Sequence, residues 1–166
     1  MPTMRFRYFI FLLLFLPACV PAIERTSELT GKVVHVSDGD SMIVLANGTE
    51  QRVRMHGIDA PERKQPYNRK ARQSLAELVA GKTVTVQYDK EDKYGRIVGK
   101  VLVDGTDAGL VQLQRGMAWF YRFYQEELEP EDRAAYAQAE DLARRDRLGL
   151  WAEQQPVPPW EFRRRR

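Results

Sequence analysis

Carboxylates and arginines gather in three short segments of this chain. Asp38-Gly39-Asp40 opens an apolar stretch, Arg54 precedes Asp59-Ala60-Pro61-Glu62, and Asp92-Lys93-Tyr94-Gly95-Arg96 brings a second arginine. These residue types suit metal-assisted attack on a phosphodiester. Such an ester is already negative and gains charge in its pentacovalent transition state, so a catalyst must set cations around the equatorial oxygens. Arginine does this with a planar fork that grips two oxygens and stays charged at any working pH. A hard divalent ion held by oxygen ligands supplies the remaining charge and holds the attacking water.

Each segment alone has a plainer meaning. Asp-Gly-Asp favours tight bends, Asp-Ala-Pro-Glu can end a strand and cap a helix, and Tyr94-Gly95-Arg96 can form a hairpin corner. Their order and spacing together are what argue for a site.

That order resembles the staphylococcal nuclease family, and the likeness extends from about Leu29 to Trp151. The resemblance implies an α+β fold, a five-stranded OB-fold β-barrel with three α-helices, and a calcium-dependent nuclease. It implies Asp40 and Asp59 as calcium-binding carboxylates, with Ala60 contributing its backbone carbonyl where the best-known member has threonine. Glu62 matches the general base or water-orienting glutamate, and Arg54 and Arg96 match the arginines that clamp the phosphate. Lys93 and Tyr94 match nucleotide-contacting positions. A one-residue alignment shift leaves Tyr121 and Tyr124 both eligible for a second such contact. Asp38 matches a position that shapes the site. The segment from Arg63 to Arg69 is shorter than the lysine-rich loop of the best-known member, which alters the rim. Neither His35 nor His56 has a second ligand motif nearby, and both are expected to be structural.

The elements that must position these residues follow from patterning. Leu29 to Ser37, Ser41 to Ala46, Gln51 to Ile58, Thr83 to Tyr88 and Arg96 to Val103 read as strands, with Asn47-Gly48 a tight hairpin turn. Tyr67, Ala71, Leu75, Leu78 and Val79 recur at helical spacing before Gly81. A short helix is expected from Asp107 to Arg115, ending at Gly116. A third begins at Pro130, carries an apolar stripe of Ala135, Tyr136, Ala139, Leu142 and Ala143, and closes at Gly149. Five short strands of this kind suit a small closed barrel.

Composition limits the possibilities. The chain has 166 residues, one domain's worth, and a single cysteine, so it has no internal disulfide framework. Its formal charge is +3, but without the leader and Arg163 to Arg166 the remainder is −3. The body is close to neutral, so charge does not by itself argue for a broad polyanion-binding face, and attraction for a polyanion must be local.

Residues 1–18 have the shape of a signal peptide, with Arg5 and Arg7 before the apolar run Tyr8 to Leu16. Leu16-Pro17-Ala18-Cys19 resembles a bacterial lipobox, in which Cys19 would be lipidated. The alternative is an ordinary signal cut after Ala22. Both predict export, to the bacterial envelope as a membrane-anchored lipoprotein or as a secreted or periplasmic protein. Residues 19–28 read as a linker, 29–152 as the nuclease domain and 153–166 as a Pro/Arg-rich tail. Pro156, Pro158 and Pro159 oppose regular structure, so the tail is expected to be solvated, with contact to nucleic acid or an anionic membrane as the alternative.

The expected protein is a monomeric, exported, calcium-dependent endonuclease that hydrolyses DNA and RNA with little sequence preference and leaves 3′-phosphate ends. Its partners would be nucleic acid and, if Cys19 is lipidated, the membrane. The rival is a non-catalytic OB-fold protein of the envelope that binds a polyanion or a partner.

Overall fold

The computed structural model describes residues 27–165. Strands β1 (Ser27–Val36), β2 (Ser41–Ala46) and β3 (Thr49–Met55) form an antiparallel meander. Asn47 and Gly48 make its tight turn with φ of 49° and 77°, the left-handed geometry that suits Asn-Gly between twisted strands. The third strand is shorter than the pattern predicted. Gly57, at φ 74°, ends it and starts a separate strand, β4 (Ile58–Asp59).

Helix α1 (Asn68–Val79) follows, burying Ala71, Ser74, Leu75 and Val79. β5 (Thr83–Glu91) runs three residues beyond the expected end at Tyr88, with a register shift between Tyr88 and Lys90, and hairpins with β6 (Ile97–Val103). β6 pairs in parallel with β3, Arg54 opposite Val98, and this pairing closes the barrel in the order β3-β2-β1-β5-β6. The α+β barrel expected from the sequence is thus the observed architecture.

A short strand, β7 (Thr106–Asp107), leads into α2 (Ala108–Gln114), where the Asp107 carboxylate caps the helix by accepting from the Gly109 and Leu110 amides. β8 (Trp119–Phe120) then pairs with β4, and α3 (Pro130–Arg145) packs against α2. The stripe expected on α3 is corrected at two positions. Leu142 is 41% exposed, whereas Glu140 is fully buried, accepting from the Phe120 amide and from Arg122 and Arg144. Paired in this way, a buried carboxylate becomes a structural post. α3 ends before Gly149, which begins a 3-10 turn (Gly149–Ala152).

The tail also differs from expectation. It is not simply solvated: Pro159–Arg164 form a fourth helix, α4, with Pro159 buried. Proline at a first helical position costs nothing, because that amide has no partner within the helix. The barrel core contains Val44, Val53, Val86 and Val101, while Trp119, Leu150 and Trp151 form a second apolar cluster on which Trp160 packs. Among the described residues, no helix is long and apolar enough to cross a membrane. The signal segment and Cys19 lie outside the described residues.

Candidate active site

The site forms where the β1–β2 loop, β3 and β4 converge at one end of the barrel. The Asp-Gly-Asp loop can approach α1 closely only because its middle residue is glycine. A Cβ on Gly39 would meet the Ala71 and Ala60 Cβ atoms at 2.6 and 2.8 Å. The fully buried Gln112 fixes the loop from behind, donating to the carbonyls of Gly39 at 2.7 Å and Ala71 at 3.0 Å.

Asp40 is buried at the start of β2 and is fully engaged. Its Oδ1 accepts from Arg54 at 3.0 Å and from the Ser41 hydroxyl at 2.8 Å, and its Oδ2 accepts from the Ala60 amide at 2.8 Å. The ladder opposes Ser41 to Arg54, which brings the guanidinium to the carboxylate. Arg54 also donates to Asp59 Oδ1 at 2.8 Å, so one arginine spans both aspartates. Asp59 is fixed in turn by the β4–β8 pairing, opposite Trp119.

The charges are strongly perturbed. Burial works to raise the Asp40 carboxyl, but Arg54 and the converging donors hold it below the usual range. Burial pushes the Asp59 carboxyl up against the opposing pull of its arginine partners. Asp38 rises to about 7, chiefly through burial and then through the neighbouring Asp40 charge.

Glu62 stands beside this pair at the start of a loop pinned by Gln65, whose Oε1 accepts from the Glu62 amide at 2.8 Å. Its side chain is 30% exposed, open enough to reach solvent. Arg96 is one residue ahead of β6. Because Val98 lies opposite Arg54, the alternation of strand residues sets Arg96 toward the same face as Arg54. Asp92 positions it, accepting from Arg96 Nε at 2.7 Å and from the Tyr94 and Arg96 amides. These bonds hold the Asp92 carboxyl below its ordinary value although burial alone would raise it. Arg96 is paired with Asp92 at the rim, whereas Asp40 and Asp59 pair with Arg54 and Arg163.

Tyr94 is 60% exposed at the tip of the β5–β6 loop, with Lys93 and Arg96 over its ring at 5.1 and 5.4 Å. Arg52 donates to its carbonyl, tying the loop to β3. The aromatic run after Ala118 divides by depth. Trp119 and Phe120 are buried, Tyr121 is half-buried, and Phe123 and Tyr124 are 77% and 44% exposed. Tyr121 and Tyr124 touch edge to face at 5.5 Å, so both belong to one exposed aromatic surface. His56 bonds Glu127 at 3.1 Å, away from the carboxylates. Among the described residues, no three histidine, cysteine, aspartate or glutamate side chains converge as a metal cluster. A cation here would rest on two carboxylates, a carbonyl and water.

Sequence reasoning missed Arg163. From α4 it donates to Asp59 Oδ2 at 2.9 Å, to Asp59 Oδ1 at 3.3 Å and to Glu62 Oε1 at 2.6 Å. No local signal could have found it, since more than a hundred residues separate it from each partner.

Comparisons with known proteins place the chain among nucleases by sequence. Residues 52–153 match the family model described as staphylococcal nuclease homologue. The chain is 39% identical over 141 residues to an uncharacterized endonuclease of Escherichia coli, covering 84% of this chain and 88% of that protein. It is 37% identical over 154 residues to a micrococcal nuclease of Shigella flexneri, covering 87% and 86%. To a staphylococcal-like nuclease of Arabidopsis thaliana it is 41% identical over 133 residues, covering 78% of this chain and 39% of that one.

Proposed function

The chain belongs to the staphylococcal nuclease family, and we propose that it is a calcium-dependent endonuclease hydrolysing DNA and RNA with little sequence preference to leave 3′-phosphate ends. The nuclease relatives support the reaction class. The observation that carries the assignment is the Arg54 guanidinium spanning the buried carboxylates of Asp40 and Asp59, with Glu62 beside them. Nothing in a structural barrel requires two buried acids at one rim, and their desolvation works against folding.

The donor chemistry fits calcium. Asp40 and Asp59, with the Ala60 carbonyl, offer hard oxygens without histidine or sulfur, the preference of calcium and magnesium over softer metals. When bound, calcium would polarise the phosphoryl oxygen and offset its charge.

The chain's own residues do the rest. Arg54 and Arg96, approaching from one face of the barrel, would grip the equatorial oxygens of the phosphate, and their charge counts most as the transition state develops. Glu62 would orient or deprotonate the attacking water, because it is the carboxylate with solvent access. Lys93, Tyr94, Tyr121 and Tyr124 line the approach with cations and aromatic rings, which hold backbone and stack bases without reading them. Cys19 would carry a lipid that anchors the monomeric enzyme to the envelope membrane, with a freely secreted form as the alternative.

The test is hydrolysis of plasmid DNA, single-stranded DNA and RNA, with calcium and with a chelator. Cleavage of all three that stops in chelator is expected. No cleavage under any condition would leave a binding protein in place of an enzyme.

A further inference from the structure

We propose that the C-terminal helix is a built-in plug, in which Arg163 occupies the carboxylates that would otherwise serve the cation and the attacking water. This rests on the calcium reading above.

Three observations on separate residues support it. Arg163 takes both oxygens of Asp59 and one of Glu62 through the same guanidinium. With Arg54 also on Asp59 Oδ1, three N–H donors engage that carboxylate, which leaves about one of its roughly four lone-pair sites open. Arg163 therefore competes directly with a cation for Asp59, and it holds the Glu62 oxygen that would otherwise face water.

The second observation is the way α4 is seated. Gln65 Nε2 donates to the Val157 carbonyl at 2.5 Å, Pro159 is buried, and Trp160 meets Trp119 edge-on at 6.4 Å. The prolines before α4 limit the freedom of its approach. The same loop that carries Glu62 therefore also receives the tail.

The third is what else the helix covers. Trp160 lies tilted against Tyr121, with ring centroids 5.2 Å apart. One short helix thus closes the acid cluster and leans on an aromatic ring of the substrate approach. Its grip is weakest on Glu62, where Arg163 is 43% and Glu62 30% exposed, since an ion pair open to water on both sides breaks far more readily than a buried one. A calcium ion and a polyanionic substrate together offer the carboxylates and the arginine better partners than each other.

Removing Arg163 should leave a folded protein, since Asp59 keeps Arg54 and Glu62 reaches solvent. Calcium binding to the whole chain is measured by calorimetry for the wild type, Arg163→Ala and Trp160→Ala, with hydrogen exchange of the α4 amides followed as calcium is added. Arg163→Ala should bind calcium about ten-fold more tightly, as expected on removal of a tethered competitor that fills the site nine times in ten. Trp160→Ala, which keeps the arginine but loosens its helix, should shift affinity the same way by less. Exchange of wild-type α4 should accelerate with calcium.

Equal calcium affinity in all three proteins overturns the plug. Unchanged affinity with reduced cleavage in Arg163→Ala also overturns it, and makes Arg163 a third phosphate-gripping arginine instead. If none of the proteins binds calcium, the calcium reading itself fails and the plug with it.

Discussion

Arg54 and Asp40 are joined at 3.0 Å across the end of the β2–β3 ladder, and that ion pair sets the geometry of the whole site. The strand register fixes the arginine, the Asp-Gly-Asp loop fixes the acid, and Asp59 completes the span at 2.8 Å. Two substitutions of Arg54 separate its duties. Arg54→Lys keeps the charge but cannot bridge two carboxylates or fork a phosphate, so turnover should fall about 100-fold or more with a small change in melting temperature. Arg54→Ala should in addition destabilise the fold by about 3 kcal/mol, because the buried Asp40 loses the arginine paired with it. Cleavage rates and thermal unfolding of both variants check this; near-normal turnover in Arg54→Lys would remove Arg54 from the clamp.

The loop carrying Asp40 depends on Gly39 for its closeness to α1. A methyl group there would overlap Ala71 and Ala60, with Cβ separations of 2.6 and 2.8 Å. Gly39→Ala should cost about 1–3 kcal/mol and displace Asp40. Chemical denaturation should register the loss of stability, and a parallel assay the loss of cleavage. Full activity would mean that the loop can move without consequence.

Asp38 predicts a pH dependence. Burial, and then Asp40, raise its carboxyl from 3.8 to about 7, so between those values the folded chain keeps a proton that the unfolded chain has lost. Its stabilising contribution is therefore complete below the unfolded value and is lost as pH rises through the folded one. In chelator, Asp38→Asn should be neutral at low pH and stabilising by about 2 kcal/mol above the folded value, roughly half of the full shift because the side chain is partly exposed. Unfolding free energies of the two proteins across that range test the sign. A gain confined to acid pH would contradict it.

The rim arginine is held by one acid. Asp92 accepts from the Arg96 side chain and from two backbone amides of its own loop. Asp92→Asn should free Arg96 to wander and reduce kcat about ten-fold while stability changes little, since the pair is partly exposed. Steady-state kinetics distinguish this from a loss of binding alone, which would raise KM and leave kcat intact.

Much of this architecture could be read from local pattern. The β2 limits, the Asn47-Gly48 turn and the start of α3 at Pro130 depend on neighbouring residues, so they were legible. The break at Gly57 was less so: Ile58 falls out of phase with Val53 and Met55, but it is the pairing of β4 with β8 that shows the chain has turned. The α3 stripe misplaced Leu142 because periodicity cannot reveal that Glu140 finds Arg122 and the Phe120 amide waiting. The tail was misjudged for a similar reason. Three prolines suggest disorder, but Trp160 and Arg163 find partners in Trp119 and Asp59, contacts that no local signal records.

The most direct test of the central claim, that two aspartates hold the cation while a glutamate handles water, is calcium calorimetry beside cleavage for Asp40→Asn, Asp59→Asn and Glu62→Gln. Both Asn variants should lose calcium binding and cleavage together. Glu62→Gln should bind calcium at least as tightly as the wild type, since it also deprives Arg163 of a partner, while turnover falls about 100- to 10,000-fold. Loss of calcium binding in Glu62→Gln as complete as in Asp40→Asn would make Glu62 a ligand and contradict the account.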